Sequence, residues 1–560
     1  MRWSETFEMA EFTSSKHELF SVLVVPVDKS KPWAIFGGSK TISGGVRQSY
    51  GISEKDGRWY GYYGGMTGVF SAAKGGETLF TSGAPDLYRV DLANGDTNRI
   101  AERIDGYTYR DWLVDGQGKV AATLDFDTRN GAWTIRNADF KVIRQGTNPR
   151  GGIDMISLSR TTDSLIYSQE DEETGAEMLY EIPLAGGDPT QLLTDISTIR
   201  RFIDPRTHRI MGYEVDQDSP QANFFDPRLD KRMRGVERAF PGLNVRLKDW
   251  NESFDRLILS TDGNGDAGTW WLVDLKTGQA TDLGASYPIP PKEVGPIRTL
   301  EYKAADGLAM SAVLTLPPGR KADALPVIVL PHGGPGDRDY PEFHWWAQAL
   351  ASRGYAVLQP NFRGSTGFGS AFEMAGHGQW GRKQQSDISD GLAELVRQGI
   401  ADPKRACIMG RSYGGYAALA GVTLQQGLYR CAVSLAGVSD LTRYYRQRIA
   451  ESGNNATRIR SLREYIGNPN DLDSVSPVKF AARADAPILL IHGKDDVVVD
   501  IDQRHLMENA LRAAGKSVEF VALKNEDHWL SRSDTRQFLL ESAVAFIEKH
   551  NPPDPPPGSE

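Results

Sequence analysis

The chain has 560 residues, of which 40% are hydrophobic and 24% are charged, and its formal net charge at pH 7 is −9. No apolar run approaches the ~18 residues of a membrane-spanning helix, so the sequence predicts a soluble protein of two or three domains and no membrane partner. The basic residues form no cluster, which argues against nucleic acid as the main partner because phosphate contacts need concentrated positive charge. Small or peptidic ligands are the expected partners.

The amino-terminal stretch MRWSETFEMAEF has no basic segment followed by an apolar core. It therefore predicts no secretory signal in the sequence as given. We expect a cytoplasmic protein, and a periplasmic location stays open if the natural chain begins further upstream. The sequence also leaves open whether the protein forms a homo-oligomer.

One short pattern repeats between residues 80 and 285: an alternating aromatic and aliphatic strand that runs into an Asn, Asp or Gly turn. The central aromatic residues are separated by 45, 47, 45 and 46 residues, and they are Tyr88, Trp133, Tyr180, Phe225 and Trp271. A period of this length is typical of propeller blades, which bury their faces by stacking. We predict six or seven blades, with LFSVLVVPVDKSK at residue 19 as an earlier copy. A β-sandwich array or a solenoid is the alternative for this half.

The sequence changes character after the proline-rich segment YPIPPKEVGP, residues 287–296. Short apolar runs such as LPVIVLPHGGPG alternate with stretches such as DISDGLAELVRQGI, in which apolar residues recur every three or four positions. This alternation indicates a mainly parallel sheet covered by helices on both faces. We predict an all-β propeller over residues 1–290, an α/β domain over residues 291–549 and a disordered proline-rich tail over residues 550–560.

The two cysteines, Cys407 and Cys431, lie in two of these apolar runs, RACIM and RCAVSLAG. Two cysteines give neither a disulfide framework nor the ligand spacing of a metal site. We expect both to be buried free thiols, and we expect neither a metal nor another cofactor.

A GxSxG motif, GRSYG at residues 410–414, lies between the buried strand RACIM and the helical stretch YAALAGVTLQQ. This is the strand-turn-helix context in which the motif presents a nucleophilic serine. The motif alone is weak in a chain with 58 glycines, and the alternative is a serine in a structural turn. The context favours Ser412 as the nucleophile.

Two further strand ends carry residues that could activate Ser412. Asp495 and Asp496 follow the strand APILLIHG, and His528 follows EFVAL. The chain order Ser, Asp, His is that of α/β-hydrolases. In such a triad the imidazole accepts the serine proton and the carboxylate fixes the imidazole tautomer. We predict a triad of Ser412, Asp496 and His528, with Asp495 as a solvated neighbour.

The loop LPHGGPG, residues 330–336, follows another strand and has the position of an oxyanion-hole loop. One backbone N–H comes from this loop and the other from the residue after the nucleophile. We predict donors near Gly334 and at Tyr413. A glycine turn of purely structural use is the alternative.

Together these segments resemble the prolyl oligopeptidase family of serine peptidases, in which a β-propeller caps an α/β-hydrolase domain. The motifs follow the order of the family at similar spacings: HGGPG (332–336), NFRGSTGFG (361–369), WGRKQQSDISDG (380–391), GRSYGGYAA (410–418), HGKDDVVV (492–499) and EDHWL (526–530). In the family the triad acid is the fourth residue after the histidine of HGxxDxxV, here Asp496. The resemblance implies that the α/β domain is an α/β-hydrolase domain and that the propeller limits substrate size.

The resemblance also implies a hydrophobic pocket for the residue before the scissile bond, in the segment AGVSDLTRYY. This segment points to Val438, Leu441 and Tyr444, and core packing is an equally good account of these residues.

The chain is most similar to the acylaminoacyl peptidase and dipeptidyl peptidase branches, but two departures leave the exopeptidase preference open. Glu172 and Glu173 are typical of a charged hairpin loop rather than of the glutamate pair with which dipeptidyl peptidases bind the substrate amino terminus. Val498 stands two residues past the triad acid, where relatives often carry a polar group that contacts the peptide.

The first functional hypothesis is a serine peptidase that acts on short peptides and releases acylaminoacyl, aminoacyl or dipeptidyl groups. The alternative is an esterase with the same triad, because the catalytic residues indicate acyl transfer without identifying the leaving group. A third hypothesis is a propeller interaction module with a degenerate hydrolase domain, against which the complete catalytic set argues. Endopeptidase activity, the preferred side chain and the physiological substrate are left open.

Overall fold

The computed structural model describes residues 2–3, 7–13, 20–26, 30–71, 77–80, 83–160, 163–194 and 198–555. The chain forms two compact units, of which the first comprises Met1–Glu214 and Ser452–Ser461 and the second comprises Val215–Glu451 and Leu462–Glu560. The domain boundary at residue 290 stays a prediction.

Six small sheets follow one another along the described part of residues 2–285. The first sheet contains β1 (Arg2–Trp3), β2 (Phe7–Thr13), β3 (Phe20–Pro26) and β4 (Trp33–Ala34). The second contains β5 (Ile42–Lys55), β6 (Arg58–Ser71), β7 (Glu77–Phe80), β8 (Asp86–Asp91) and β9 (Thr97–Ala101), with β7 paired to β6 beside the path β5-β6-β8-β9. The third contains β10 (Thr108–Val114), β11 (Val120–Asp127), β12 (Ala132–Asn137) and β13 (Val142–Thr147).

The remaining three sheets of this series have the same sequential order. The fourth contains β14 (Ile153–Leu158), β15 (Ser164–Glu170), β16 (Glu177–Pro183) and β17 (Thr190–Thr194), and the fifth contains β18 (Thr198–Ile203), β19 (Ile210–Val215) and β20 (Ala222–Phe224). Helix α1 (Pro227–Glu237) precedes the sixth, which contains β21 (Leu243–Trp250), β22 (Arg256–Gly263), β23 (Asp266–Asp274) and β24 (Gln279–Ala285).

The repeated aromatic residues occupy equivalent places in these sheets. Four of them lie in the third strand along the sheet, namely Tyr88 in β8, Trp133 in β12, Tyr180 in β16 and Trp271 in β23, and Phe225 directly follows β20. The sequence period is therefore the repeat of a blade, which confirms the predicted propeller, and the six sheets match the lower predicted blade number. The early copy LFSVLVVPVDKSK forms β3, the third strand of the first sheet, while its residues 19 and 27–29 lie outside the described residues.

The second unit contains a mixed eight-stranded sheet, which confirms the predicted α/β-hydrolase class. Its strands, in spatial order, are β25 (Ile297–Lys303), β26 (Ala309–Thr315), β28 (Ala356–Asn361), β27 (Leu325–Val329), β29 (Ala401–Arg411), β30 (Cys431–Leu435), β31 (Ile488–Gly493) and β32 (Val518–Leu523). The five pairings from β28 to β32 are parallel, and the pairings of β26 with β25 and β28 are antiparallel.

The helices that follow in this part of the chain are α2 (Trp345–Ser352), α3 (Ser370–Met374), α4 (Lys383–Arg397), α5 (Tyr413–Thr423), α6 (Leu441–Ser452), α7 (Ala456–Ile466), α8 (Asp502–Ala513) and α9 (Ser533–His550). Three short 3₁₀ turns span Pro291–Glu293, Leu472–Val475 and Pro477–Arg483. Within the described residues, none of the helices combines the length and the apolar content that crossing a membrane requires.

Alternate residues of the central strands pack into two separate cores, as expected for a sheet that is buried on both faces. In β29, Ala406 and Ile408 join a cluster with α4, α5 and α8, whereas Cys407 and Met409 join a cluster with α2 and α9. The carboxyl ends of the parallel strands are thereby held in fixed positions, where functional residues of such sheets gather.

The expectation that Cys407 and Cys431 are free thiols is wrong. The two residues face each other in register on the neighbouring parallel strands β29 and β30, with their Cα atoms 4.8 Å apart, and they form a disulfide. They are 24 residues apart in the chain, and only the pairing of the two strands brings them together.

The predicted disorder of the tail does not extend to residues 550–555, the first of which, His550, ends α9. Asn551 is buried, and its side chain donates a hydrogen bond to the carbonyl of Arg405. The guanidinium of Arg405 pairs with the carboxylate of Asp554 at 2.7 Å, and Arg320 donates to the carbonyls of Asp554 and Pro555. Residues 556–560 lie outside the described residues.

A buried ion pair links two of the motifs that the sequence contains, NFRGSTGFG and WGRKQQSDISDG. Arg363 binds Asp387 through two nitrogens, at 2.7 and 2.8 Å, and also reaches Asp306 at 3.0 Å. The hydrogen bonds to Asp387 raise the pKa of Arg363, so its guanidinium stays charged. Two-point pairs of this kind fix geometry as well as charge, and this one joins the loop after β28 to α4.

We predict that Arg363→Met destabilises the protein by roughly 3–5 kcal/mol, because it leaves the Asp387 carboxylate buried without its partner. Lys383→Met is the matched control, since Lys383 also pairs with Asp306 but its side chain is half exposed. The free energy of unfolding from denaturant titration measures the effect. Equal losses in the two variants would contradict the structural role assigned to the buried pair.

Candidate active site

Ser412 lies at the tight turn between β29, which ends at Arg411, and α5, which begins at Tyr413. Its backbone has φ 58° and ψ −118°, a conformation that costs a residue with a side chain of order 1–3 kcal/mol. The N–H of Ser412 donates to the carbonyl of Leu435 at 2.9 Å, which anchors the turn to the end of β30. Such a turn presents the serine hydroxyl at the edge of the sheet.

The two glycines of the motif are required by close approaches of the backbone. A Cβ at Gly410 would lie 2.5 Å from the carbonyl carbon of Gly414, and a Cβ at Gly414 would lie 2.1 Å from the carbonyl oxygen of Pro331. Neither position therefore accepts a larger residue without a backbone shift. The GxSxG pattern is thus a steric consequence of packing β29, α5 and the loop after β27 together.

Asp496 and His528 follow the neighbouring strands β31 and β32, so both reach the same edge of the sheet as Ser412. The structure brings these two predicted residues together, with Nδ1 of His528 2.8 Å from Oδ2 of Asp496. Both side chains are buried. A carboxylate in this position fixes the imidazole tautomer and stabilises its cation.

The Asp496 carboxylate is surrounded by hydrogen-bond donors. Its Oδ1 accepts the N–H groups of Val498 and Val499 at 2.9 Å each, and Nε2 of His492 lies 3.4 Å from Oδ2. Burial alone would raise the pKa of Asp496, but the hydrogen bonds from His492 and His528 hold it well below its usual range. The contact of His492, the penultimate residue of β31, with the acid was not predicted from the sequence.

Two acidic residues hold the loop that carries His528. Glu526 is buried and accepts the N–H of Ser531 at 2.9 Å, and it also accepts the hydroxyl of Thr535 in α9. Asp527 accepts the N–H of Trp529 at 2.9 Å. These roles were not predicted, because the motif EDHWL does not reveal which of its acids points inward.

The HGGPG loop after β27 lies against the nucleophile. A Cβ built on Gly333 would be 3.7 Å from Cβ of Ser412. His332 holds the loop through a 2.9 Å contact between its Nε2 and Oγ of Ser365, and the N–H of Gly336 donates to the hydroxyl of Tyr465 at 2.6 Å. Gly334 directly follows Gly333 in this loop, and the role of its N–H as an oxyanion donor stays a prediction.

Tyr413, the second predicted donor, is the first residue of α5. Its N–H therefore has no acceptor within the helix, as an oxyanion donor requires. The side chain is buried, with its hydroxyl donating to Oε1 of Gln384 at 3.0 Å and its ring packed edge-on against Trp380. The use of this N–H in catalysis stays a prediction.

The three residues predicted for a substrate pocket differ in burial. Val438 and Leu441 are 1% and 0% exposed and belong to the core cluster on the α5 side of the sheet. Tyr444 is only partly buried, and its ring lies near Trp380 and under the guanidinium of Arg448. Core packing accounts for the first two, and the pocket itself stays a prediction.

The arrangement is suited to acyl transfer by a serine nucleophile. It combines a strained turn that carries the partly buried serine, a buried imidazole-carboxylate pair and a glycine loop beside the nucleophile. In the described part of the chain, no group of three or more His, Cys, Asp or Glu side chains is arranged to hold a metal ion.

The comparison with known families and proteins agrees with this chemistry. Residues 341–552 match the model of the prolyl oligopeptidase family. The dipeptidyl aminopeptidase BIII of Pseudoxanthomonas mexicana is 28% identical over 498 residues, which cover 82% of this chain and 69% of that protein. The dipeptidyl peptidase family member 6 of Caenorhabditis elegans is 34% identical over 263 residues, which cover 42% of this chain and 35% of that protein.

Solved structures share the fold over nearly the whole chain. A puromycin-hydrolyzing peptidase of Mycobacterium tuberculosis superimposes with a TM-score of 0.69 at 19% identity, covering 99% of this chain and 86% of that one. At this level of identity the likeness concerns the fold alone.

We predict that Asp496→Asn lowers kcat by roughly 10³–10⁴-fold, because the amide no longer holds the productive tautomer of His528. Asp495→Asn is the matched control and should cost little, since Asp496 is the acid that lies at hydrogen-bond distance from Nδ1 of His528 and Asp495 is only partly buried. Steady-state kinetics of both variants on one peptide substrate measure the difference. The opposite ranking would show that the acid has been assigned to the wrong residue.

Proposed function

We propose that this chain hydrolyses short peptides through Ser412, His528 and Asp496, and the match of residues 341–552 to the prolyl oligopeptidase family supports this proposal. The observation that carries the proposal is the 2.8 Å hydrogen bond between His528 and Asp496 at the sheet edge where the turn presents Ser412. A buried imidazole-carboxylate pair at this place supplies the general base that a serine nucleophile needs.

In the proposed reaction Oγ of Ser412 attacks the carbonyl carbon of the scissile bond while Nε2 of His528 takes the hydroxyl proton. The N–H groups of Gly334 and Tyr413 stabilise the resulting oxyanion. The carbon–nitrogen bond then breaks as His528 returns the proton to the leaving amine, and an ester on Ser412 remains. Water, activated by the same imidazole, hydrolyses this ester. Asp496 keeps His528 oriented and stabilises its cation throughout.

We further propose that the group released from the substrate is a dipeptide, an aminoacyl or an acylaminoacyl unit. The names of the relatives support this, since they include a dipeptidyl aminopeptidase and the acylamino-acid-releasing enzyme of Mus musculus, 24% identical over 278 residues covering 47% of this chain and 36% of that protein. An esterase with the same triad is the alternative function, because the triad chemistry is common to both reactions.

Ser412→Ala should abolish nearly all hydrolysis, with a fall in rate of roughly 10⁴-fold or more, because alanine has no hydroxyl with which to attack the carbonyl carbon. Ser352→Ala, at an exposed serine near the end of α2, is the matched control and should retain full activity. The values of kcat/KM on a peptide arylamide give the comparison. A Ser412→Ala variant within tenfold of the parent would end the case for this nucleophile.

The propeller is proposed to limit substrate size, so one cleavable bond placed in peptides of increasing length should give a falling kcat/KM. A simple acyl ester measured beside the shortest peptide separates the peptidase from the esterase. A flat profile up to a long unfolded polypeptide would contradict the size limit, and turnover of the ester alone would favour the esterase.

A further inference from the structure

A cavity of about 210 Å³ adjoins the residues proposed for catalysis. Its lining includes Gly333 of the HGGPG loop, Arg411, which directly precedes Ser412, and Trp529, which directly follows His528. The volume is below the ~300–1,000 Å³ of sites for drug-sized ligands, so the cavity suits a group of about the size of one amino acid.

Two arginines that line this cavity have no carboxylate partner among the described residues. Arg411 makes one long hydrogen bond, 3.5 Å to the carbonyl of Trp529, and Arg536 makes no side-chain hydrogen bond. Arg338 lines the same cavity, but Asp216 and Asp218 neutralise it. Asp337, Asp496 and Asp527 attract Arg411 through space without a hydrogen bond to it. Since a guanidinium stays protonated in proteins, the cavity contains two positive charges whose N–H donors bind no carboxylate of the described residues.

The other titratable side chains of the cavity add little charge near neutral pH. Burial lowers the pKa of His344 to about 4 and raises the pKa of Asp339 to about 8, which disfavours the charged form of each side chain. His332 is also buried, and its pKa is lowered for the same reason. Asp337 is the remaining carboxylate of the lining, and it is exposed and accepts the N–H of Arg338. Against this one exposed carboxylate the lining presents the guanidinium groups of Arg411 and Arg536, which favours an anion.

The position of these groups indicates which part of a substrate they would meet. His528 gives its proton to the leaving amine, so the leaving group lies beside this imidazole. The ring of Trp529 packs edge-on against the His528 ring with centroids 5.6 Å apart, and Cζ of Arg411 lies 5.8 Å from the centre of the Trp529 ring. A leaving amino acid whose amine is at His528 would thus extend along Trp529 towards Arg411.

We propose that this cavity is the leaving-group subsite and that Arg411, assisted by Arg536, binds the free α-carboxylate of the released residue. The preferred substrates are then short peptides that end one residue beyond the cleaved bond. An arginine suits this task because its planar guanidinium matches a carboxylate with two parallel hydrogen bonds. The inference rests on the proposed peptidase function, and the carboxylate takes no part in bond breaking.

The test uses one peptide in two forms, with a free carboxylate or a carboxamide on the residue after the cleaved bond. The parent enzyme should cleave the acid with a kcat/KM higher by roughly tenfold or more, as expected for a hydrogen-bonded charge pair. Arg411→Gln should reduce this ratio to near one, and Arg536→Gln should reduce it partly. Arg353→Gln is the control, because it removes an exposed ion pair with Glu548 that is not part of the cavity lining. It should keep the parental ratio.

Three outcomes would contradict the inference, and the last of them would also contradict the peptidase function. If the parent enzyme cleaves the acid and the carboxamide with nearly equal kcat/KM, the inference is wrong and the peptidase function is unaffected. This measurement does not depend on the folding of any variant. An unchanged acid preference in Arg411→Gln also overturns it, because the carboxylate is then bound elsewhere. Failure of the parent to cleave either form, while it hydrolyses a simple acyl ester, contradicts the proposed peptidase function and the inference with it.

Discussion

The close approach of β29, α5 and the loop after β27 is the constraint on which the catalytic site depends. It leaves no room for a Cβ at Gly410 or Gly414 and forces Ser412 into a strained backbone conformation. The two cores on opposite faces of the sheet oppose relaxation of this strain, because the strand that carries it is buried on both sides. Packing energy distributed over the sheet thus maintains the strained turn at Ser412.

Electrostatic interactions and hydrogen bonds hold the acid and the imidazole of the site in place. Asp496 is buried, and an isolated carboxylate there would be costly, but two backbone N–H groups and two imidazoles satisfy it. The low pKa that results keeps the acid charged, so it can hold His528 in one tautomer. Arg411 differs from Asp496, since the nearby carboxylates attract it only through space and its single hydrogen bond is the long one to Trp529, so its guanidinium has N–H donors available to a ligand.

The fold class was predictable from local patterns, since the aromatic residues mark one strand of each blade and the GxSxG motif marks a strand-turn-helix junction. The pairing of segments that are distant in the chain was not predictable from these patterns. The disulfide between Cys407 and Cys431 depends on the register of two parallel strands, and the contact of His492 with Asp496 depends on how the loop after β31 folds back. The unpaired state of Arg411 is likewise visible only when all neighbouring carboxylates are placed in space.

The most direct test of the account is the identity of the residue that becomes covalently modified. The protein would be treated with a serine-directed phosphonate, digested, and mapped by mass spectrometry. We predict a single adduct on the peptide that contains Ser412, formed in step with the loss of activity. Complete loss of activity with an adduct on any other residue, or full activity in a protein fully labelled at Ser412, would contradict it.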